Sequence, residues 1–344
     1  MCIGTVLAEL GGSKAGRMAA NHIGIPTTTS FSTINRACAS GLSAITSIAN
    51  SIAVGQIDVG IAGGMESMTR NYGSRAIPTE LWGDLKESPV KEARDCIMNM
   101  GITSENVAAR YGVSRADQDA FAAQSQKRAA KAQANGLFDD EIVPVTTRWV
   151  NPEVPEHVET ITVTKDDGIR ANTTVEKLAS MKPAFKPDGA STAGNSSQVS
   201  DGASAALMMR RSTAAELGLT SQIIGKWVGM LVAGCAPDEM GIGPAVAIPR
   251  LLNYTGISTS DVGIWEINEA FASQALYCVR RLGLENATVN PNGGAIALGH
   301  PLGATSGRML ATLLNEMGRT GEELGVLSKC IGTGMGMASL IVRE

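Results

Sequence analysis

The sequence predicts an α/β protein built from two related, layered halves with an inserted loop region, on three observations. Strand-like and helix-like segments alternate through the first and last thirds of the chain. The 344 residues include 39 glycines but only 4% aromatic residues, which favours closely packed backbone. The two ends of the chain share one layout of loop, helix, strand and glycine loop. We therefore expect a duplicated unit whose halves pack about a pseudo-twofold axis, with their loops facing each other.

The first half opens with a predicted strand in MCIGTVLAEL and a helix in SKAGRMAANHIG that ends at Gly24. In SGLSAITSIANSIAVGQ the apolar residues Leu42, Ile45 and Ile48 recur at helical spacing, which predicts a buried helix. IDVGIAGGMESM then predicts a buried strand leading into a glycine loop.

The alternation of strands and helices stops between residues 70 and 189, where polar loops and short helices are predicted instead. Ser104 and Ser114 are predicted to begin two of these helices, and Asp117 completes a capping-box pattern with Ser114. We expect this stretch to be an inserted lid with local basic character. The first half then comprises residues 1–69 with 190–212, and the second half residues 213–344.

In the second half the alternation of strands and helices resumes. After a strand in GASAALMM that ends the first half, a helix is predicted in AVAIPRLLNYTG, a strand in DVGIWEI, and helices in NEAFASQALYCVRRLG and RMLATLLNEMG. LGVLSKCIGTGMG predicts a last strand that runs into a glycine loop.

Charge and cysteine spacing exclude several classes of function. The net charge of −4 gives no reason to expect a nucleic-acid partner, and no apolar run is long enough to span a bilayer. The six cysteines lie far apart, without a CxxC pair or a neighbouring histidine at metal-ligand spacing. This spacing argues against a disulfide framework and a zinc site, and favours a reducing compartment.

Two cysteines and one histidine lie where chemistry is plausible. Cys38 precedes the buried helix, so it is either a thiolate stabilised by the helix dipole or a small buried hydrophobic residue. His300 lies in the glycine-rich loop GGAIALGHPLG, as a general base toward a thiol or as a structural side chain bonded to a loop carbonyl. Cys330, at the start of CIGTGMG, is ambiguous by itself.

Two further residues have open interpretations. Asn268, which opens NEAF, is either a helix N-cap or an amide that positions an oxyanion or a water. Met240, in DEMGIGP, is expected in an apolar wall, either of the core or of a pocket.

Taken together and in this order, the stretches NRACASGL, NEAF, GHPLG and CIGTGMG resemble the thiolase family, the CoA-dependent enzymes that cleave or form 3-ketoacyl-CoA. The stretches MGITSENVAARYGVSRADQD, TTVEKLASMKPAF, TAGNSSQVSDGA and MGIGPAVAIP look most like the 3-ketoacyl-CoA thiolases of peroxisomal β-oxidation. The resemblance extends from Ile3 to the end of the chain.

The resemblance implies the thiolase fold, two pseudo-twofold-related halves in α/β/α/β/α layers, and a covalent mechanism. Cys38 would attack the 3-keto carbonyl, His300 would take its proton, and Cys330 would protonate the enolate of acetyl-CoA. The amides of Gly332 and Cys38 would bind one oxyanion, and Asn268 through a water, with His300, would bind the enolate oxygen.

The resemblance also implies the ligands and partners. Ser197 would contact the pantetheine arm of CoA, and Arg170 its adenine end. Phe185, Met100 and Met240 would line the channel or pocket. No metal and no tightly bound cofactor is implied, since CoA is a substrate. We expect a homodimer in the peroxisome, with the mitochondrion or cytoplasm as alternatives, because the address of the family's peroxisomal members lies N-terminal to the matched region.

Three departures from the family pattern matter. The strand–helix unit that normally comes first is absent, and we expect its strand to be central in the first sheet, so that its loss leaves a hole and unpaired backbone. RACASG replaces the usual RQCSSG, so we expect a less ordered loop at Ala37 and Ala39. GATSGRM replaces GATGAR, with a mild effect expected at Ser306 and Gly307.

These departures leave alternatives to a 3-ketoacyl-CoA thiolase. An acetoacetyl-CoA thiolase would differ only in the shape of its acyl pocket. A catalytically impaired or truncated relative would bind CoA without turnover. A ketoacyl-ACP synthase is disfavoured, because those enzymes lack a cysteine at the CIGTG position.

Overall fold

The computed structural model describes residues 1–78, 80–151, 153–154 and 156–344, with ten strands and thirteen α-helices among them. The strands are β1 (Cys2–Gly4), β2 (Ser32–Ile34), β3 (Val59–Glu66), β4 (Val145–Val150), β5 (Val158–Val163), β6 (Gly202–Met209), β7 (Gly225–Gly234), β8 (Ile264–Ile267), β9 (Leu324–Ile331) and β10 (Met335–Arg343). The helices are α1 (Ser13–His22), α2 (Ser40–Ala53), α3 (Met68–Arg75), α4 (Gly83–Lys86), α5 (Lys91–Asp95), α6 (Met100–Tyr111), α7 (Arg115–Ala134), α8 (Val175–Ala179), α9 (Arg211–Glu216), α10 (Gly243–Thr255), α11 (Ala272–Leu282), α12 (Ala295–Leu298) and α13 (Thr305–Thr320).

Two four-stranded sheets form the frame of the molecule, in the orders β2-β1-β3-β6 and β7-β10-β9-β8. In the first sheet β1 is parallel to β2 and β3, and β6 is antiparallel to β3. In the second sheet β8 is parallel to β9, and β10 is antiparallel to both β9 and β7. The strands β4 and β5 form a separate hairpin between β3 and β6 in the chain.

The two sheets repeat one pattern of pairing. The run β1, β3 and β6 matches β8, β9 and β10 in both order and direction, and β2 has its counterpart in a parallel bridge between Trp265 and Val289. The first strand of the second half, β7, lies at the edge beside β10. The corresponding edge of the first sheet, beside β6, pairs with no further strand among the described residues. Because β1 pairs on both sides, that sheet has no gap in its middle.

The core lies between and behind these sheets. Helices α2 and α13 pack together between the two sheets, where Leu42, Met309 and Leu327 belong to one continuous apolar cluster. A second cluster lies between the second sheet and helices α10 and α11, around Leu251 and Trp265. Burial of these apolar faces favours the layered arrangement.

Local signals predicted some helix starts and missed others. Ser114 caps α7 as predicted, with its hydroxyl accepting the amide of Asp117. The prediction for Ser104 is wrong. Asn99 caps α6, and Ser104 lies inside that helix, bonded to the hydroxyls of Ser191 and Ser273. No helix in the described part of the chain is long and apolar enough to cross a membrane.

Candidate active site

Cys38 lies in a tight turn directly before α2. The turn has a left-handed residue, Ala37, at φ 42°, an unusual conformation for a residue with a Cβ. The Asn35 side chain accepts the Ala37 amide at 3.0 Å, and the Ser40 hydroxyl accepts the Arg36 amide at 2.9 Å while donating to the Ala37 carbonyl at 2.6 Å. These bonds hold the turn without polar side chains at positions 37 and 39.

The Cys38 sulfur meets the CIGTG loop of the other half. A Cβ placed on Gly332 would lie 3.9 Å from the Ala37 Cβ, and the backbone amides of Gly332 and Cys38 favour the ionised form of the sulfur. Burial raises the pKa of the Cys38 thiol, and the charge of Glu66 raises it further, while Lys329 and the two amides lower it. The net shift is upward, so a base is needed to produce thiolate near neutral pH.

His300 has the hydrogen bonds of a neutral base. Its Nδ1 lies 2.7 Å from the Thr305 hydroxyl, which donates its own proton to the Pro301 carbonyl at 3.0 Å. The hydroxyl oxygen must therefore accept from Nδ1–H, which leaves the lone pair on Nε2. Burial holds the pKa of His300 well below its usual value, and the charges of Lys329 and Arg308 lower it further. The ring is thus uncharged and able to accept a proton at Nε2.

Asn268 lies at the end of β8, against the His300 ring. Its amide nitrogen is 3.4 Å from His300 Nε2, and Gln274 donates to its main-chain carbonyl at 3.1 Å. The side-chain oxygen is buried and has no hydrogen-bond partner among the described residues, so it can accept from a donor that enters the site. The N-cap alternative is excluded, because α11 begins at Ala272 with Phe271 as its cap.

Cys330 lies in a buried apolar cluster near the end of β9. It packs with Met240, Ala270 and Phe271, and Met100 and Phe185 lie against the same cluster. The rings of Phe185 and Phe271 meet edge to face, with centroids 6.0 Å apart. Burial raises the pKa of the Cys330 thiol well above its usual value. Cys330 therefore stays protonated and can act as a proton donor.

The remaining two predicted residues lie at different distances from this pocket. The Ser197 amide donates to the carbonyl of Ala270, a member of the pocket cluster, at 3.0 Å. Arg170 lies apart and is exposed. Its amide donates to the Gln126 side chain at 2.6 Å, and its guanidinium donates to the Asp167 carbonyl.

The sequence analysis did not single out two buried polar residues of the site. Thr305 fixes the His300 ring, and Lys329 lies fully buried in β9, one residue before Cys330. The signal for Lys329 is a lysine in the otherwise apolar or small stretch LGVLSKCI. Among the described residues, no group of histidine, cysteine and acidic side chains has the arrangement of a metal site.

Known proteins were compared with the chain and its fold. The sequence matches the thiolase N-terminal domain over residues 1–212 and the thiolase C-terminal domain over residues 221–343. The chain belongs to the thiolase family. Its fold is the thiolase fold, shared with the dimeric peroxisomal thiolase of Saccharomyces cerevisiae at a TM-score of 0.90 and 46% identity, over 100% of this chain and 84% of that one.

Other thiolases are similarly close. The peroxisomal 3-ketoacyl-CoA thiolase of Yarrowia lipolytica is 51% identical over 99% of this chain and 81% of its own length. The human peroxisomal 3-ketoacyl-CoA thiolase is 53% identical over 99% of this chain and 78% of its own length. The acetyl-CoA acetyltransferase of Bacillus anthracis has a TM-score of 0.87 at 37% identity, over 100% of this chain and 86% of that one.

Proposed function

We propose that this thiolase cleaves 3-ketoacyl-CoA with CoA, giving acetyl-CoA and a shortened acyl-CoA in fatty-acid β-oxidation. One observation carries the proposal. A Cβ placed on Gly332 would lie 3.9 Å from the Ala37 Cβ, so the nucleophile loop of one half meets the CIGTG loop of the other at a single site. The high identity to peroxisomal 3-ketoacyl-CoA thiolases supports the same substrate class.

In the first half-reaction, Cys38 attacks the C3 carbonyl while its proton passes to His300 Nε2. The C2–C3 bond breaks, leaving the acyl group on the Cys38 sulfur and the electron pair on the enolate of acetyl-CoA. The enolate carbon takes the proton of the Cys330 thiol. The unpaired oxygen of Asn268 suits a water that would donate to the enolate oxygen, beside His300.

In the second half-reaction, CoA gives its thiol proton to the Cys330 thiolate and attacks the acyl group on Cys38. The amides of Gly332 and Cys38, which lower the pKa of the Cys38 thiol, are the donors available to the thioester oxyanion. Each donor of this kind typically contributes about 3 to 4 kcal/mol to lowering a barrier. The thiolate of Cys38 leaves and recovers its proton from His300.

CoA would approach along residues 70–189, which we propose as the CoA-binding insertion between a first half (1–69 with 190–212) and a second half (213–344). Met100, Phe185 and Met240 would contact the thioester end, since they surround Cys330. Ser197, bonded next to that cluster, would contact the pantetheine arm, and the exposed Arg170 the adenine end. No tightly bound cofactor takes part in this scheme.

A thiolase specific for acetoacetyl-CoA is the second candidate. The similarity in fold to an acetyl-CoA acetyltransferase favours it, and the catalytic groups would be the same. We further propose a peroxisomal homodimer, because the similar proteins are peroxisomal and one of the solved structures is a dimer.

Thiolysis of acetoacetyl-CoA and of a longer 3-ketoacyl-CoA tests the function directly, by following loss of the enolate absorbance. We expect cleavage of both substrates, and a loss of more than about 10³-fold in Cys38→Ala, because the covalent step disappears. The ratio of the two wild-type rates distinguishes the two candidates.

Cys96→Ala is the matched control for this test, because Cys96 bonds to the Glu92 carbonyl and lies outside the site. It should keep wild-type activity. Thiolysis that survives in Cys38→Ala would contradict the assignment, and folded wild-type protein without turnover would indicate an impaired relative.

A further inference from the structure

Lys329 is a buried cation without a carboxylate partner. Its side chain is 0% exposed, and its Nζ has one hydrogen bond, to the Ser306 hydroxyl at 3.3 Å. The ion pairs found in the described part of the chain do not include it. A buried charge is costly unless an anion compensates it, so the identity of that anion matters.

The ammonium lies where the two central helices begin. Ser306 belongs to the first turn of α13, and a Cβ placed on Gly41, in the first turn of α2, would lie 3.4 Å from the Ser306 Cβ. Cys38 immediately precedes α2, and Cys330 follows Lys329 in β9. The charge of Lys329 is therefore close to both thiols.

The other charged groups around this point are already engaged. Glu66, at the end of β3, accepts hydrogen bonds from the amides of Val6, Leu7 and Gly303. Arg308, on α13, lies 3.5 Å from Glu266, whose pKa burial raises to about 8. His300 and Cys330 are neutral in the resting site. The reaction creates two thiolates beside Lys329, on Cys38 and later on Cys330, and Cys38 is the one that ionises first.

We propose that Lys329 is a positioning residue whose ammonium is the counter-charge of the Cys38 thiolate. The inference rests on the proposed function only in taking Cys38 as the nucleophile. The attraction favours ionisation of Cys38 and at the same time compensates the buried cation. Acylation of Cys38 removes the thiolate, so the attraction favours the free enzyme over the acyl-enzyme and helps Cys38 to leave in the second half-reaction.

The proposal has a characteristic pH dependence. Burial lowers the pKa of Lys329 to about 8, so its charge is present at pH 7 and fades as the pH rises past 8. The electrostatic stabilisation of the Cys38 thiolate should weaken over the same pH range. His300 and Cys330 stay neutral near pH 8, and Glu266, whose pKa burial raises to about 8, is unchanged in the Lys329 variants, so a difference between wild type and variant reports Lys329.

Alkylation of Cys38 by iodoacetamide, followed by mass spectrometry of the whole chain's peptides between pH 6 and 10, tests the proposal without turnover. In Lys329→Met the rate at pH 7 should fall about tenfold, the equivalent of one pKa unit. The wild-type and variant rates should converge at high pH. Lys329→Arg, whose guanidinium stays charged, should match the wild-type rate at pH 7 and exceed it above pH 8.

Lys329→Gln is a second neutral variant, and its profile should match that of Lys329→Met. Profiles in both neutral variants that run parallel to wild type at every pH would overturn the proposal, because a purely structural role changes accessibility rather than the pH dependence. If wild-type Cys38 shows the expected profile while no 3-ketoacyl-CoA is cleaved, the proposed function fails and the role of Lys329 stands.

Discussion

At His300, one hydroxyl decides which ring nitrogen can act as the base. Thr305 accepts from Nδ1 because its own proton is committed to the Pro301 carbonyl. Without that acceptor the ring can turn or change tautomer, and the lone pair no longer faces the substrate on Nε2. The geometry of the base therefore depends on a residue that touches no substrate.

Thr305→Val should lower kcat about 10- to 100-fold with little change in KM, because binding surfaces are kept while the base is misplaced. Steady-state thiolysis measures both constants. Thr312→Val is the matched control, since Thr312 is also buried in α13 but bonds to Glu141. Equal kcat values for the two variants would contradict the role of Thr305.

Single residues also show how far the sequence alone can go. Cys38 and His300 could be predicted because reactive side chains in small-residue loops are conspicuous. Thr305 and Lys329 could not, because a threonine in a helix and a lysine in a strand usually face solvent. Only the packing of α13 on β9 determines that these two side chains point into the site.

At the level of elements, the two halves contact each other beside the site through the backbone of glycine residues. A Cβ on Gly41 would lie 2.3 Å from the Gly303 carbonyl oxygen, and a Cβ on Gly64 would lie 1.8 Å from the same atom. The first turn of α2, the strand β3 and the loop between His300 and α13 thus meet without side chains between them. Contacts this short leave no room for a methyl group.

Gly41→Ala should therefore displace the loops of Cys38 and His300, destabilise the protein by about 1 to 3 kcal/mol and reduce thiolysis strongly. Chemical denaturation and activity assays measure the two effects. Gly318→Ala, in open space on α13, is the control and should be neutral or stabilise by up to about 1 kcal/mol. A Gly41→Ala protein with normal stability would show that the junction can relax.

Element order was easier to predict than element boundaries. Apolar spacing located α2, α10 and β9 correctly, because burial of one face dominates those segments, whereas β10 after the glycine turn was not predicted. The start of α11 was placed too early, at Asn268, since an asparagine after a strand resembles a cap. In the folded chain Asn268 continues from β8 toward His300. The helix α11 begins only after Phe271, where the Gln274 side chain accepts the backbone amides of Ala270 and Phe271.

For the whole molecule, the repeat of loop, helix and strand in the sequence was enough to predict two halves that face each other. Strand order was not predictable, because it depends on pairings between segments far apart in the chain. The edge position of β7 beside β10 emerges only from the register of those strands. The two sheets also differ in solvent exposure. Leu207 on β6 of the first sheet is 62% exposed, whereas most residues of β10 in the second sheet are buried.

Sedimentation equilibrium should give the mass of two chains at micromolar concentration. Association would bury exposed apolar side chains of the first half, such as Leu207. Leu207→Lys should weaken dimerisation, because it places a charge in the expected contact. A monomer at every concentration would contradict the proposed dimer.

The resting state of Cys38 has a consequence for damage by peroxide. Oxidants attack the thiolate and not the thiol, and the pKa of Cys38 is raised when no substrate is present. An idle enzyme therefore holds its nucleophile in the form that resists sulfenic acid formation. Peroxide can oxidise Cys38 only while the thiol is ionised. An enzyme that is turning over should therefore be inactivated by peroxide faster than an enzyme without substrate.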